Sequence, residues 1–281
     1  MAQIQVVWFK RDLRTHDHEP LWRATRAGPV VGLYVLEPSL WATPEYHAPD
    51  LELVRDSVEE LRARLGEHAI EVLVRVGELP EVLDRLHAQL PFGGLWSHEE
   101  TGNRRTWARD RRVKRWCHHS EVRWRELAQP GIRRPNPGRQ RWAASWRAAM
   151  RAECAPRLRG RQRWSLPPDT SLGEVPGAEA LELAPIQKDA QPGGEGAGLE
   201  LLDSFLQRRS RTYRESMSSP VEGWEACSRL SPHFALGSVS PRQAYQRTIA
   251  RAEELRARGE VDWAQQLESF ESRLAWRAHF M

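Results

Sequence analysis

Ile4-Gln5-Val6-Val7-Trp8-Phe9-Lys10-Arg11-Asp12-Leu13-Arg14-Thr15-His16-Asp17 is a β-branched and aromatic run that turns abruptly into a charged loop. Such residues fit a pleated strand, and an apolar run without alternation fits a strand covered on both faces. The pattern recurs downstream. Ile4–Phe9, Val30–Leu36, Ile70–Val76, Gly94–Ser97 and Glu121–Trp124 read as short strands, separated by amphipathic stretches at Glu19–Arg26, Leu51–Leu65, Leu79–Leu90 and Arg104–His119. Strands alternating with helices predict a parallel sheet, and right-handed crossovers make it a doubly wound α/β sheet of about five strands. The charged loop then lies at the carboxyl end of the first strand, where open α/β sheets take ligands. No Gly-x-Gly-x-x-Gly follows that strand, which disfavours a dinucleotide at this turn.

Pro130, Gly131, Pro135, Pro137 and Gly138 interrupt the pattern. A short helix is expected around Arg141–Ala152, then an Arg-, Pro- and Gly-rich stretch from Pro156 to Pro176 with weak apolar periodicity. We read residues 1–130 as the α/β domain, 131–192 as a connector wrapping the surface, and 193–281 as a helical region. There, Leu199, Leu202, Phe205 and Leu206 share one face of a helix over Leu199–Arg211, and further helices are expected at Arg242–Ala257 and Asp262–Phe280. On the last, Trp263, Leu267, Phe270 and Leu274 form an inward stripe, whereas Arg273, Trp276, Arg277 and Phe280 share a second face.

Composition narrows the function. Lys and Arg total 42 against 38 Asp and Glu, a formal net charge of +4 that permits a polyanionic partner without requiring one. Lysine occurs only at Lys10, Lys114 and Lys188, so nearly every basic side chain is an arginine. Cys117, Cys154 and Cys227 are too scattered for a metal site or a disulfide framework, and they suit a reducing compartment. No apolar run reaches bilayer length and the first residues lack a secretory pattern, so a cytoplasmic protein without membrane contact is expected. Most of the 13 tryptophans are read as core and interface fillers. His98-Glu99-Glu100 invites a metal or acid–base reading, but neighbouring strand residues diverge, and no metal site is assigned. The basic helix Arg104–Arg115 is read as a cover for the sheet, with Val113 and Trp116 inward.

The densest chemistry lies in Cys227-Ser228-Arg229-Leu230-Ser231-Pro232-His233-Phe234-Ala235-Leu236-Gly237-Ser238-Val239-Ser240-Pro241-Arg242. Ser231 or Ser240 suits a helix cap, with Pro232 or Pro241 at the first helical position. Hydroxyls and main-chain N–H groups beside Arg229 suit a phosphate or pyrophosphate, although an ordinary capped turn has the same residues.

The Ser-Arg-Leu-Ser-Pro-x-x-Ala-x-Gly-x-x-Ser-x-Arg pattern resembles the flavin-binding signature of the photolyase/cryptochrome family. Val6 to Asp17 and the terminal Arg273-Leu274-Ala275-Trp276-Arg277-Ala278-His279-Phe280 resemble two further segments of that family, in the same order and spanning nearly the whole chain. The resemblance implies a photolyase-like α/β domain followed by the start of an all-α FAD-binding domain. It implies FAD in a bent form, and a blue-light-dependent lyase that splits pyrimidine dimers in damaged DNA by photoinduced electron transfer. A monomer is expected. The same resemblance leaves open a cryptochrome-type photoreceptor without repair activity, or a non-catalytic binding module. Some relatives carry an antenna chromophore, a folate or deazaflavin, in the α/β domain, and nothing in the residues specifies one here.

By position, the resemblance implies cofactor contacts from Tyr213, Ser228, Arg229, Leu230, Ser231, Trp276 and Arg277, and no catalytic residue is assigned. Arg11 and Asp12 are expected to make structural ion pairs. Three positions depart from the family pattern: Arg273 stands where glutamate is common, Met217 where arginine is expected, and Cys227 where threonine is common. The family's helical domain runs well beyond the Trp-Arg helix, so the chain is expected to be the front part of a longer protein, inactive by itself.

Overall fold

The computed structural model describes residues 3–132, 139–184 and 191–281. They form two compact units, Met1–Leu127 with Ala155–Glu195, and Ala128–Cys154 with Gly196–Met281. The stretch read as a connector therefore contributes to both units.

The first unit alternates β1 (Ile4–Phe9), α1 (Glu19–Ala27), β2 (Val30–Leu36), α2 (Pro38–Trp41), α3 (Ala48–Gly66), β3 (Val72–Val76), α4 (Glu81–Gln89), β4 (Phe92–His98), α5 (Arg104–His119) and β5 (Arg123–Leu127). The strands form one parallel sheet in the order β3-β2-β1-β4-β5, the doubly wound arrangement expected. On β1, Val6 pairs with Val31 of β2 on one side and Leu95 of β4 on the other. Val6, Val7, Phe9, Val31 and Leu33 have no accessible surface, which is why these strands read as continuous apolar runs. Glu121 takes a φ of +56° after α5, so β5 begins at Arg123 and extends past the Glu121–Trp124 expected. The strand order reverses between β1 and β4, leaving a crevice at their carboxyl ends.

The segment after Ala155 returns along this unit as a strap. The Leu172 carbonyl accepts the Val74 N–H at 2.7 Å, and Arg75 donates to the Ser171 carbonyl at 2.9 Å. The strap thereby covers the polar edge of β3, which would otherwise be open to pairing with another chain.

In the second unit, α6 (Arg139–Arg151), α7 (Gly194–Gln207), α8 (Tyr213–Ser216), α9 (Glu222–Ala226), α10 (Ser231–Leu236), α11 (Pro241–Ala257) and α12 (Val261–Phe280) surround a core. Phe205, Tyr213, Leu230, Phe234, Tyr245, Trp263, Leu267, Phe270 and Leu274 fill it, including the inward stripe of α12 read from the sequence. The first two residues of α7 count with the first unit. This helix starts five residues before the expected Leu199 and stops at Gln207, giving way to a 3₁₀ turn at Arg209–Thr212. Glycine is a poor helix former, but a Cβ on Gly198 would stand 2.4 Å from Val239 Cγ2 and 2.7 Å from His233 Nδ1, so close packing requires it there.

Candidate functional site

Arg209 holds the loop between α9 and α10 from beneath. Its guanidinium donates to the carbonyls of Cys227 and Ser228, to the Leu201 carbonyl at 2.8 Å and to Ser204 Oγ at 3.1 Å. Above it, Arg229 adopts a left-handed φ of +57°, and its guanidinium lies 5.0 Å from the ring of Trp224. Arg229 Nε is buried with no hydrogen-bond partner among the described residues. Ser228 Oγ accepts a long 3.4 Å bond from the Leu230 N–H and retains a proton to donate. Leu230 is fully buried and anchors the loop in the core, while Ser231 is exposed at the first position of α10. Ser231 does not cap α10. Capping falls to Ser240, whose Oγ accepts the N–H groups of Arg242 at 3.2 Å and Gln243 at 3.4 Å, with Pro241 at the first turn of α11. From Cys227 to Arg242 there is no carboxylate. Hydroxyls, a guanidinium and one orphaned buried N–H form a donor set that fits an anionic group such as a diphosphate.

Tyr213 stands at the start of α8, packed edge-on against Phe205 at 5.4 Å and Phe270 at 5.9 Å. Burial raises its phenol pKa, Cys227 adds to the rise, and Arg273 opposes it. Arg277 donates to the Phe234 carbonyl at 2.7 Å and lies 5.4 Å from the Phe234 ring, tying α12 to α10. Trp276 points elsewhere: it is 55% exposed, with the Arg273 guanidinium 4.6 Å from its ring. Tyr213, Leu230 and Arg277 are therefore joined to one packed body, Ser228, Arg229 and Ser231 form its loop, and Trp276 stands apart. An open hollow of about 820 Å³ lies beside α8 and α9, lined by Arg209, Thr212, Ser216, Glu222, Glu225 and Ala226 among others. None of the expected site residues lines it.

A second polar centre occupies the crevice of the first unit. Asp12 Oδ2 lies 2.6 Å from His98 Nδ1 and 3.0 Å from His18 Nε2, and Asp12 Oδ1 accepts the Lys10 N–H at 2.7 Å. All three side chains are buried, and they could hold a metal by residue type. The tautomer argues otherwise. His18 Nδ1 accepts the Leu21 N–H at 3.1 Å at the start of α1, so the ring proton sits on Nε2. Metal binding at Nε2 would require an imidazolate or the loss of that cap, so the donor set does not fit a metal. Burial acts to raise the Asp12 carboxyl, but His18 and then His98 hold it well below the ordinary carboxylate range. Burial pushes His98 down to about 4, against the pull of Asp12. Asp12 thus pairs with two histidines, where the sequence suggested a structural ion pair.

Beside this cluster, Trp8 lies between two cations, with Lys10 Nζ at 4.6 Å and the Arg109 guanidinium at 4.8 Å from its ring. Lys10 bonds Asp110 at 2.9 Å, while Arg109 bonds Glu37 at 2.8 Å, Asp110 at 2.9 Å and Glu100. Burial raises the Glu37 carboxyl; for Glu100 the nearby Lys10 and Arg109 outweigh the burial and lower it.

The sequence profile described as DNA photolyase matches residues 5–136. Over 242 residues the chain is 36% identical to the deoxyribodipyrimidine photo-lyase of Thermus thermophilus, covering 85% of this chain and 53% of that protein. The chain belongs to the photolyase/cryptochrome family. It spans about half the length of the curated relatives it matches. The fold agrees: the Synechocystis sp. PCC6803 cryptochrome superposes with a TM-score of 0.78 at 23% identity, covering 100% of this chain and 61% of that one. An archaeal photolyase from Sulfolobus tokodaii, described with two FAD molecules, superposes at 0.66 and 19% identity, covering 87% and 54%.

Two of the departures from the family pattern meet in space. The Arg273 guanidinium lies 3.7 Å from Met217 Sδ. The third departure, Cys227, has its thiol pKa raised by burial against the pull of Arg209. Arg209 itself had no place among the residues expected from sequence. Its contacts are mainly to carbonyls, and only its position shortly before Tyr213 gave a signal.

Proposed function

We propose that the whole protein binds FAD at its helical unit and works as a blue-light-dependent photolyase that splits pyrimidine dimers in damaged DNA. The observation that carries this reading is the carboxylate-free loop Ser228–Ser231 with its orphaned Arg229 Nε, in a chain 36% identical to a deoxyribodipyrimidine photo-lyase. In this reading Ser228 and Ser231 donate hydroxyl protons to phosphate oxygens, and Arg229 neutralises their charge. Arg209 fixes the loop backbone, so those donors need little reorganisation on binding. Arg277 fixes α10 against α12, and buried Tyr213 supplies an apolar aromatic surface behind the loop. When bound, the flavin supplies absorption of blue light and the electron lent to the dimer and regained after ring cleavage. A folate or deazaflavin antenna, where one is bound, is assigned to the α/β unit, outside the paired Lys10 and Arg109 network. No helix among the described residues is long and apolar enough to cross a membrane; the proposed form is a cytoplasmic monomer.

Met217 in place of arginine favours a second reading, a cryptochrome-type photoreceptor that keeps the flavin site and lacks repair. One experiment separates the two. The full-length protein, with flavin reduced, is illuminated with dimer-containing DNA. Light-dependent restoration of intact pyrimidines is expected; bound flavin without restoration would replace the repair reading with the photoreceptor one, and no flavin binding would overturn both.

A further inference from the structure

The strap of the first unit contains Pro156-Arg157-Leu158-Arg159-Gly160-Arg161-Gln162-Arg163-Trp164, with arginine at every second position. Arg157, Arg159, Arg161 and Arg163 are all exposed. The residues between them hold the strap in place. The Gln162 amide donates to the carbonyls of Val30 at 3.1 Å and Ala69 at 2.9 Å, and its Oε1 accepts the Val30 N–H at 2.8 Å. The Gln162 main-chain N–H donates to the His68 carbonyl at 3.1 Å, and the Gly160 carbonyl lies 2.7 Å from His68 Nδ1. Trp164 packs against the core of the sheet. Anchoring and charge are thus divided between alternate residues.

The four guanidiniums are not spent on the fold. None takes part in an ion pair among the described residues, and no carboxylate occurs between Glu153 and Asp169. Four like charges within seven residues repel one another and contribute nothing to the fold that the structure reveals. Residues two apart in an extended chain stand about 6.5 Å from each other, a step of the same order as that between neighbouring phosphates on a strand. Gly160, with φ +72°, turns the chain between Arg159 and Arg161, so the charges come as two pairs. A row of cations suits a linear polyanion better than a single phosphate, which needs converging donors. Trp164 is turned to the core, so the row offers no exposed ring on which a base could stack.

We infer that this arginine row is a contact surface for nucleic-acid backbone, indifferent to sequence and to damage. It lies in the α/β unit, uses none of the flavin-loop residues, and goes beyond the proposed repair function. Fluorescence anisotropy of an undamaged labelled duplex, titrated with the full chain over a salt series, tests it. Each phosphate neutralised contributes roughly 0.9 to the slope of log K against log salt. The variant R157Q/R159Q/R161Q/R163Q is expected to flatten that slope by up to about 3.6, and the corresponding four-lysine variant to retain it. All four side chains are exposed, so unchanged circular dichroism is expected and checks the fold. Equal slopes for the wild-type and glutamine proteins would overturn the inference. So would arginine-dependent binding to phosphatidylserine vesicles with an unchanged DNA slope, which would make the row a lipid contact. Failure of flavin-dependent repair leaves this measurement untouched.

Discussion

The crevice of the α/β unit and the serine loop of the helical unit are both rich in cations, but they use them differently. In the crevice Lys10 and Arg109 face Asp110, Glu37 and Glu100, and Asp12 faces two imidazoles. On the loop, Arg229 leaves a buried Nε without a partner among the described residues, and no carboxylate occurs from Cys227 to Arg242. A self-paired network contributes to the stability of the unit that contains it, whereas donors left over await a ligand. The sharpest way to break this contrast is Arg109→Met, which removes the guanidinium bonded to Glu37, Glu100 and Asp110. Removing one partner of a buried pair costs about 3–5 kcal/mol, so urea unfolding should show a loss of that order, a large fraction of the stability of an ordinary domain. A loss below about 1 kcal/mol would show that the crevice network is not structural.

Acid should act on the same region. The imidazole of His98 titrates near 4 when folded and at its ordinary 6.5 when unfolded, so the unfolded chain binds the extra proton. Stability is therefore full above pH 6.5 and falls as the pH drops toward 4, by about 3 kcal/mol as an upper figure. Asp12, also depressed, extends the loss to lower pH. The variant His98→Asn, measured by urea unfolding at pH 7.5 and pH 4.5, should show a smaller difference between the two than wild type. An equal difference would place the acid sensitivity elsewhere.

The serine loop predicts the opposite pattern, an effect on ligand and not on folding. Ser228→Ala and Arg229→Asn should each weaken flavin binding by the full-length protein about tenfold or more, near the lower end of the roughly 1.5–3 kcal/mol of a lost hydrogen bond to a charged group. Asparagine is chosen because it tolerates the left-handed φ of +57° at this position. Unfolding midpoints should stay within about 0.5 kcal/mol of wild type. Destabilisation with unchanged flavin affinity would make the loop structural, like the crevice.

Legibility in the sequence followed the range of the interactions. The five strands were readable because burial on both faces makes each a local apolar run, and the serine loop because its chemistry is contiguous. The pairing of Asp12 with His98 was not, since 86 positions separate them and the register of two strands brings them together. Helices α8 to α10 have only four to six residues, too few for a periodicity to declare itself. Gly194, Gly196 and Gly198 hid the start of α7, where close packing outweighs propensity. Trp276 and Arg277 are adjacent in the motif, and helical geometry turns adjacent residues about 100° apart, so Trp276 lies exposed while Arg277 reaches the Phe234 carbonyl.

That separation gives the smallest predicted effect and the finest division of the helical unit. Trp276 is 55% exposed and Phe280 81% exposed, so neither contributes much to the core. Trp276→Ala should change the unfolding midpoint by less than about 0.5 kcal/mol, losing little beyond its stacking with Arg273. Arg277→Ala should cost more, about 1–2 kcal/mol, because it leaves the Phe234 carbonyl without its donor and loosens α10 from α12. Flavin affinity should follow the same order, falling for Arg277→Ala through the displaced loop and staying near wild type for Trp276→Ala. If instead Trp276→Ala abolished flavin binding with stability unchanged, Trp276 would have to turn toward the cofactor on binding, and α12 would present a different face to its ligand than the one seen in this structure.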